Sequence, residues 1–236
     1  DRSRPERLLQ HLRGGLEPLS VVLLMLSASA EPAFSEERGL YSAPLSLEIT
    51  ATDGGIIRYS RDGSEPSTLL SEPLNITTTA TISAVEIVDG TISETITHTF
   101  LFPADVVHDP VMDADVVEDS VYGPIIEQTL WELPSVSLVT SETLSTTEQE
   151  VSLEWIDPEG AHKQVRCGAR DVGGHSLSYD KNNIRLSFRG DYGAPTLKLD
   201  LFADFGTGVA PADEHDALTL RSGSHDSVFY LGSAGQ

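Results

Sequence analysis

From residue 31 onward, apolar and polar positions alternate in short runs broken by glycine, proline and aspartate. Leu45-Ser-Leu-Glu-Ile49 has the two-residue period of a strand with one buried face. Ile56–Ser60, Leu74–Ile76, Ala80–Ile87 and Ile92–Phe100 follow, separated by turns at Asp53-Gly54-Gly55, Arg61–Pro66 and Asp89-Gly90. A second series begins at Ser135: Val136–Val139, Glu150–Ile156, Gln164–Arg170, Ile184–Arg189, Leu197–Phe202 and Ala217–Arg221. Asp157-Pro158-Glu159-Gly160 has the composition of a hairpin turn. No long 3.6-residue period occurs in either series. The pattern predicts a mainly β chain: a small antiparallel sandwich over 31–102 and a second β-rich domain over 135–236.

Two stretches stand apart. Residues 1–30 join a basic start (Arg2, Arg4, Arg7, Arg13) to the apolar run Val21–Leu26 and the small residues Ser27-Ala28-Ser29-Ala30. These are the parts of a secretory leader, and the apolar run is too short to span a bilayer. An amphipathic helix packed on the first domain is the other reading. Residues 103–134 carry Pro103, Pro110, Pro124 and Pro134 among Asp105, Asp109, Asp113, Asp115, Glu118 and Asp119. This reads as a solvated acidic linker with a short helical turn within Val121–Trp131; its spacing does not fit an EF-hand Ca²⁺ loop.

Charge narrows the function classes. Fifteen Lys and Arg face 37 Asp and Glu, a net charge of -22. Nucleic acid and anionic membrane surfaces are excluded as partners, because both need clustered cations. Only Lys163, Lys181 and Lys198 are lysines. An acidic, lysine-poor surface suits a high-salt medium, and equally an acidic secreted protein. The single cysteine, Cys167, admits no internal disulfide and reads as a buried small hydrophobe. Asp62 reads as a turn residue capping backbone N–H groups.

Phe34-Ser35, Gly39-Leu40-Tyr41, Ile57-Arg58-Tyr59-Ser60-Arg61-Asp62-Gly63-Ser64-Glu65-Pro66 and Pro73–Ala84 occur in the order seen in one known family. Over roughly 32–102 the chain resembles the chitobiase/β-hexosaminidase C-terminal domain. The resemblance implies an immunoglobulin-like sandwich serving as an accessory module of secreted proteins. It implies no glycosidase activity, and no motif places a catalytic pair of carboxylates here.

Further on, Gly168-x-Arg170, Gly173-Gly174-x-Ser176, Lys181-Asn182-Asn183-x-Arg185-Leu186-x-Phe188-Arg189 and Leu218-x-Leu220-Arg221 resemble the leading part of CotH kinase-like domains. The resemblance implies an incomplete N-lobe-like domain, in which Lys181, with Gly173, Gly174 and Ser176, takes a nucleotide-binding role in the parent protein. ATP and Mg²⁺ would be the parent's cofactors. Ser176-Leu177 and Lys181-Asn182-Asn183 depart from that family's pattern, and its acidic metal ligands are expected beyond Gln236. The expectation for this chain is therefore no catalytic residues, no metal site and no cofactor of its own.

Two functions follow. One is a fragment of an exported CotH-family protein, catalytically incomplete, with an accessory sandwich. The other is a structural or carbohydrate-adhesion module of a large extracellular protein, with Tyr41, Tyr59, Trp131 and Trp155 as candidate sugar platforms. Both place the chain outside the cytoplasm, in the periplasm, at the cell surface or secreted, with an extracellular protein or a glycan as partner.

Overall fold

The computed structural model describes residues 30–160, 162–178, 181–201 and 212–222. Ala30 apart, the leader reading of residues 1–30 lies outside the described residues. What is described is mainly β, in antiparallel sheets, as the alternation predicts.

The first unit holds β1 (Ala33–Phe34), β2 (Gly39–Leu40), β3 (Leu45–Leu47), β4 (Ile49–Thr50), β5 (Ile56–Ser60), β6 (Thr68–Leu69), β7 (Leu74–Ile76), β8 (Ala80–Val88), β9 (Thr91–Ile92) and β10 (Ile96–Leu101). One sheet runs β2-β10-β8-β5-β6, with β9 hydrogen-bonded to β8. The pairs β3–β7 and β1–β4 supply the opposing layer. Every pairing is antiparallel except β2 with β10. Leu47, Ile49, Ile57, Leu74, Ile76, Ile82, Ala84, Phe100 and Phe102 form the core between the layers. Leu47, Ile82 and Phe100 are wholly buried, each contributing about 1.5–3 kcal/mol of apolar transfer.

One buried charge sits in this unit. Glu86 on β8 has no exposed surface. Its Oε2 accepts from Thr52 N at 2.8 Å and Thr52 Oγ1 at 3.0 Å, and its Oε1 from Asp53 N at 3.0 Å and Gly55 N at 3.1 Å. Burial by itself pushes the carboxyl up, but these four donors outweigh it and hold the group below its ordinary value. Residue 55 must be glycine, because a Cβ there would lie 2.5 Å from the Ile87 carbonyl oxygen.

Residues 103–134 include the helical turn expected within Val121–Trp131 and add two short helices before it. They form α1 (Pro103–Val107), α2 (Ala114–Val117) and α3 (Gly123–Glu132), and α1 and α2 both pack on α3. Asp113 caps α2 by accepting from Asp115 N at 2.9 Å, and Asp119 accepts from Val121 N at 2.7 Å and Tyr122 N at 2.9 Å before α3. Pro103 and Pro124 occupy first-turn positions, where a missing N–H costs nothing. Asp113 and Asp119 are therefore cap and turn residues, while Asp109, Asp115 and Glu118 are exposed.

The second unit holds β11 (Ser135–Val139), β12 (Gln149–Ile156), β13 (Lys163–Val172), β14 (Asn183–Ser187), β15 (Leu197–Lys198), β16 (Glu214–His215) and β17 (Ala217–Leu220). Its main sheet runs β11-β12-β13-β14-β17, and β15 pairs with β16. The strand expected over Leu197–Phe202 extends only to Lys198, matching its two-residue partner; Phe202 lies outside the described residues. Val151, Leu153, Cys167, Ala169, Leu186, Phe188 and Leu197 are buried on one face of the unit. Cys167 is fully buried there, and burial, with Glu148 and Glu150 nearby, pushes its thiol up to about 12.

The opposite face of this sheet meets the sandwich along a polar seam. On β10, His98 and Phe100 turn toward the first core, while Thr97 and Thr99 turn toward the second unit. The outward N–H groups of Thr97 and Thr99 have no neighbouring strand. Instead, Thr97 N donates to Gln164 Oε1 at 3.0 Å and Thr99 N to Glu154 Oε1 at 3.2 Å. Side chains of β12 and β13 thus finish an edge that would otherwise stand open. Ser137 Oγ meets Thr99 Oγ1 at 2.8 Å, and the Thr99 hydroxyl donates to Glu154 Oε2. Arg38, 8% exposed, places a guanidinium nitrogen 3.2 Å from Glu154 Oε1 and donates to Gln164 Oε1 at 3.3 Å. Burial pushes the Glu154 carboxyl up to about 7, against the opposing pull of Thr99 and Arg38. His98, stacked on Phe34 at 4.1 Å, is lowered to about 4 by burial and by the Arg38 charge.

Candidate functional site

The aromatic residues offered by the sequence separate into different environments. Trp155 on β12 lines an apolar cleft of about 200 Å³ with Leu153, Leu186, Leu199 and Leu218. Tyr59 on β5 packs against the first core and borders a cleft of about 350 Å³ with Arg61 and Glu72. Tyr41 and Trp131 come together. They line one cleft of about 380 Å³ with Asp105, Glu127, Ser42 and Thr77.

Each wall of that cleft has a local cause. Tyr41 follows β2, and its N–H donates to Leu101 O at 2.7 Å, prolonging the pairing with β10. Its hydroxyl donates to Glu37 O at 2.6 Å, and its ring lies 5.6 Å from Phe100 and 6.1 Å from Phe102. These contacts hold one side of the ring against the core. Burial, with Glu36 and Glu37 nearby, raises its phenol. Phe102 ends the sandwich and caps α1, so α1 begins where the core stops. Asp105 is tied by Oδ2 to Thr79 N at 3.0 Å. Glu127 and Trp131 stand four residues apart on α3, hence on one helix face, and α3 is held by its packing on α1.

Such an arrangement has definite chemistry. Aromatic rings offer apolar faces to the C–H surfaces of a ring-shaped polar molecule, while carboxylates and hydroxyls at the margin accept or exchange hydrogen bonds. The volume lies within the range of about 300–1,000 Å³ usual for small-molecule sites.

The residues of the second resemblance lie elsewhere. Gly173, Gly174, Ser176 and Lys181 occupy the connection between β13 and β14. Gly173 has φ 147°, and a Cβ there would lie 2.2 Å from Ser176 Oγ. Ser176 is buried, and its hydroxyl accepts from Asn183 Nδ2 at 3.4 Å. Asn182 Nδ2 donates to Asp171 Oδ2 at 3.1 Å, and Asn183 Oδ1 accepts from Ser222 N at 2.9 Å. Lys181 is exposed at the end of this connection. Asp62, as expected, is a turn residue whose Oδ1 accepts from Ser64 N at 3.1 Å. Among the described residues no three His, Cys, Asp or Glu side chains gather as a metal site. No described helix is long and apolar enough to cross a membrane.

Residues 36–99 match the family model of the chitobiase/β-hexosaminidase C-terminal domain. The match covers most of the sandwich, from the turn after β1 into β10, and includes Tyr41. Trp131, Glu127 and Asp105 lie downstream of it, so the cleft joins matched and unmatched residues. Among curated proteins none matches the chain.

Sequence reading missed Asp105 and Glu127 as cleft residues. The available signal was Glu127-Gln-Thr-Leu-Trp131, a carboxylate and an aromatic at helical spacing. Glu154 and Glu86 were also missed. Glu154 stands in a strand whose polar face also carries Ile156, and Val85-Glu86-Ile87 sets a carboxylate within an apolar run.

Proposed function

We propose that this chain is a carbohydrate-binding accessory segment of an exported protein, with Tyr41 and Trp131 forming the sugar platform. The carrying observation is that a matched sandwich residue and a downstream helix residue share one cleft, flanked by Asp105 and Glu127. The match to a domain named for chitobiase and β-hexosaminidase supports a carbohydrate-related β-sandwich, and such domains are typically extracellular or periplasmic. The rigid Tyr41 ring suits recognition, since little side-chain freedom is lost on binding. The two tryptophans make the test direct. Titration with β-linked hexose and hexosamine oligosaccharides is expected to perturb Trp131 emission in a Trp155→Phe background. Trp131→Ala and Tyr41→Phe separate the platform from the anchor of its ring: the first abolishes binding, the second weakens it a fewfold. Binding unchanged in Trp131→Ala overturns the assignment of the cleft.

A further inference from the structure

The cleft has a sign as well as a shape. Asp105 and Glu127 both line it, and none of its lining residues is Lys, Arg or His. Glu127 is exposed and reaches the cleft from the same helix face as Trp131. Helix α3 adds to the field, because Trp131 lies in its last turn, where backbone carbonyls leave partial negative charge, and no basic residue occupies that turn. Two carboxylates and a helix C-terminus therefore surround two aromatic rings, on a chain whose net charge is -22.

On the carbohydrate-binding reading above, we propose that the cleft selects saccharides carrying unacylated, protonated amino groups over neutral ones. A pyranose ring lying against Trp131 or Tyr41 presents its equatorial substituents to the margin, where Asp105 and Glu127 stand. A neutral hydroxyl there exchanges one water hydrogen bond for one protein hydrogen bond, at little net gain. An ammonium group there makes a charge-assisted bond and lies near aromatic faces that attract cations. The hydroxyls of Ser42 and Thr77 complete a margin suited to a polyhydroxylated ring.

Calorimetric titration separates the outcomes, with glucosamine oligomers, their N-acetylated counterparts, glucose oligomers and a tri-lysine peptide as probes. The amine-bearing oligomer is expected to bind at least fivefold more tightly than either neutral oligomer. Glu127→Gln should remove most of that ratio, weakening the amine-bearing oligomer severalfold more than either neutral oligomer. Raising NaCl from low salt to 1 M should compress the ratio, since exposed charges are then screened beyond about 3 Å. Asp105→Asn serves as a second variant, read alongside its thermal midpoint because Asp105 also holds Thr79 N. Equal binding of charged and neutral oligomers overturns the selectivity and leaves the carbohydrate reading standing. No binding of any oligosaccharide overturns both. Tri-lysine binding as tightly as the amino sugar overturns the saccharide choice in favour of a basic peptide.

Discussion

Glu86 and Glu154 are both fully buried carboxylates, yet their environments push them in opposite directions. Glu86 lies inside the sandwich, where three backbone N–H groups from one loop and a threonine hydroxyl converge on its oxygens. Glu154 lies at the seam between the units, where one backbone N–H, one hydroxyl and the Arg38 guanidinium reach it. A full positive charge in the partner set does not keep Glu154 low, whereas a peptide cradle keeps Glu86 low. Donors fixed by local backbone geometry solvate a buried anion at little cost, while an arginine brought into the seam must itself be stripped of water. Arg38 shows that cost: its own group is lowered, chiefly by burial.

Removing one seam partner should have the largest effect. Glu154→Leu leaves Arg38 buried beside an apolar side chain and Thr99 N without its acceptor, and should cost about 3–5 kcal/mol. Adding Arg38→Met should recover much of that loss, which denaturant titration of the double variant checks. In the cradle, Glu86→Gln keeps the shape but places an NH₂ against backbone donors. It should lower the thermal midpoint by about 5–10 °C near neutral pH. The same two sites differ in their response to pH. Glu154 is raised, so its contribution is complete below the ordinary carboxyl value. It falls as pH rises to about 7, at no more than about 1.4 kcal/mol per pH unit. Glu86 is lowered, so its contribution is present above the ordinary value and lost as pH falls through its folded value. Stability profiles of Glu154→Gln and Glu86→Gln should therefore diverge from the parent in different pH windows, mildly acidic to neutral for the first and acidic for the second. Identical profiles would erase the distinction. The smallest effect is general: raising NaCl from low salt toward 1 M should lift the thermal midpoint by a few degrees, because a net charge of -22 is screened.

Local periodicity carried most of the fold. Ile56–Ser60 stands where the alternation placed it, and β11, β12, β13 and β17 fall within about two residues of their expected bounds. Short edge pieces were not legible: Ala33–Phe34 and Thr68–Leu69 are too brief to show a period, and only their partners define them. Of the helices in 103–134, α3 was legible as a turn within Val121–Trp131, whereas α1 and α2 were hidden, because Asp113 acts as a cap, a role that looks like solvent exposure until the turn is seen. Of the cleft, Tyr41 and Trp131 could be named as aromatics, but their meeting depends on α1 starting where Phe102 leaves the core. No spacing rule links residues so far apart in the chain. The seam was invisible for the same reason, since Gln164 answers an N–H belonging to Thr97 in a different sheet.

That last contact bears on how such a chain is inherited. The matched stretch ends at residue 99, but the groups that finish its outer strand are Glu154 and Gln164. A recombination event that moved only the matched stretch into a new gene would deliver a strand with bare amides, free to pair with a neighbour's backbone. Moving the sandwich together with β12 and β13 would keep those amides satisfied, so the block that folds without a bare edge is longer than the matched one.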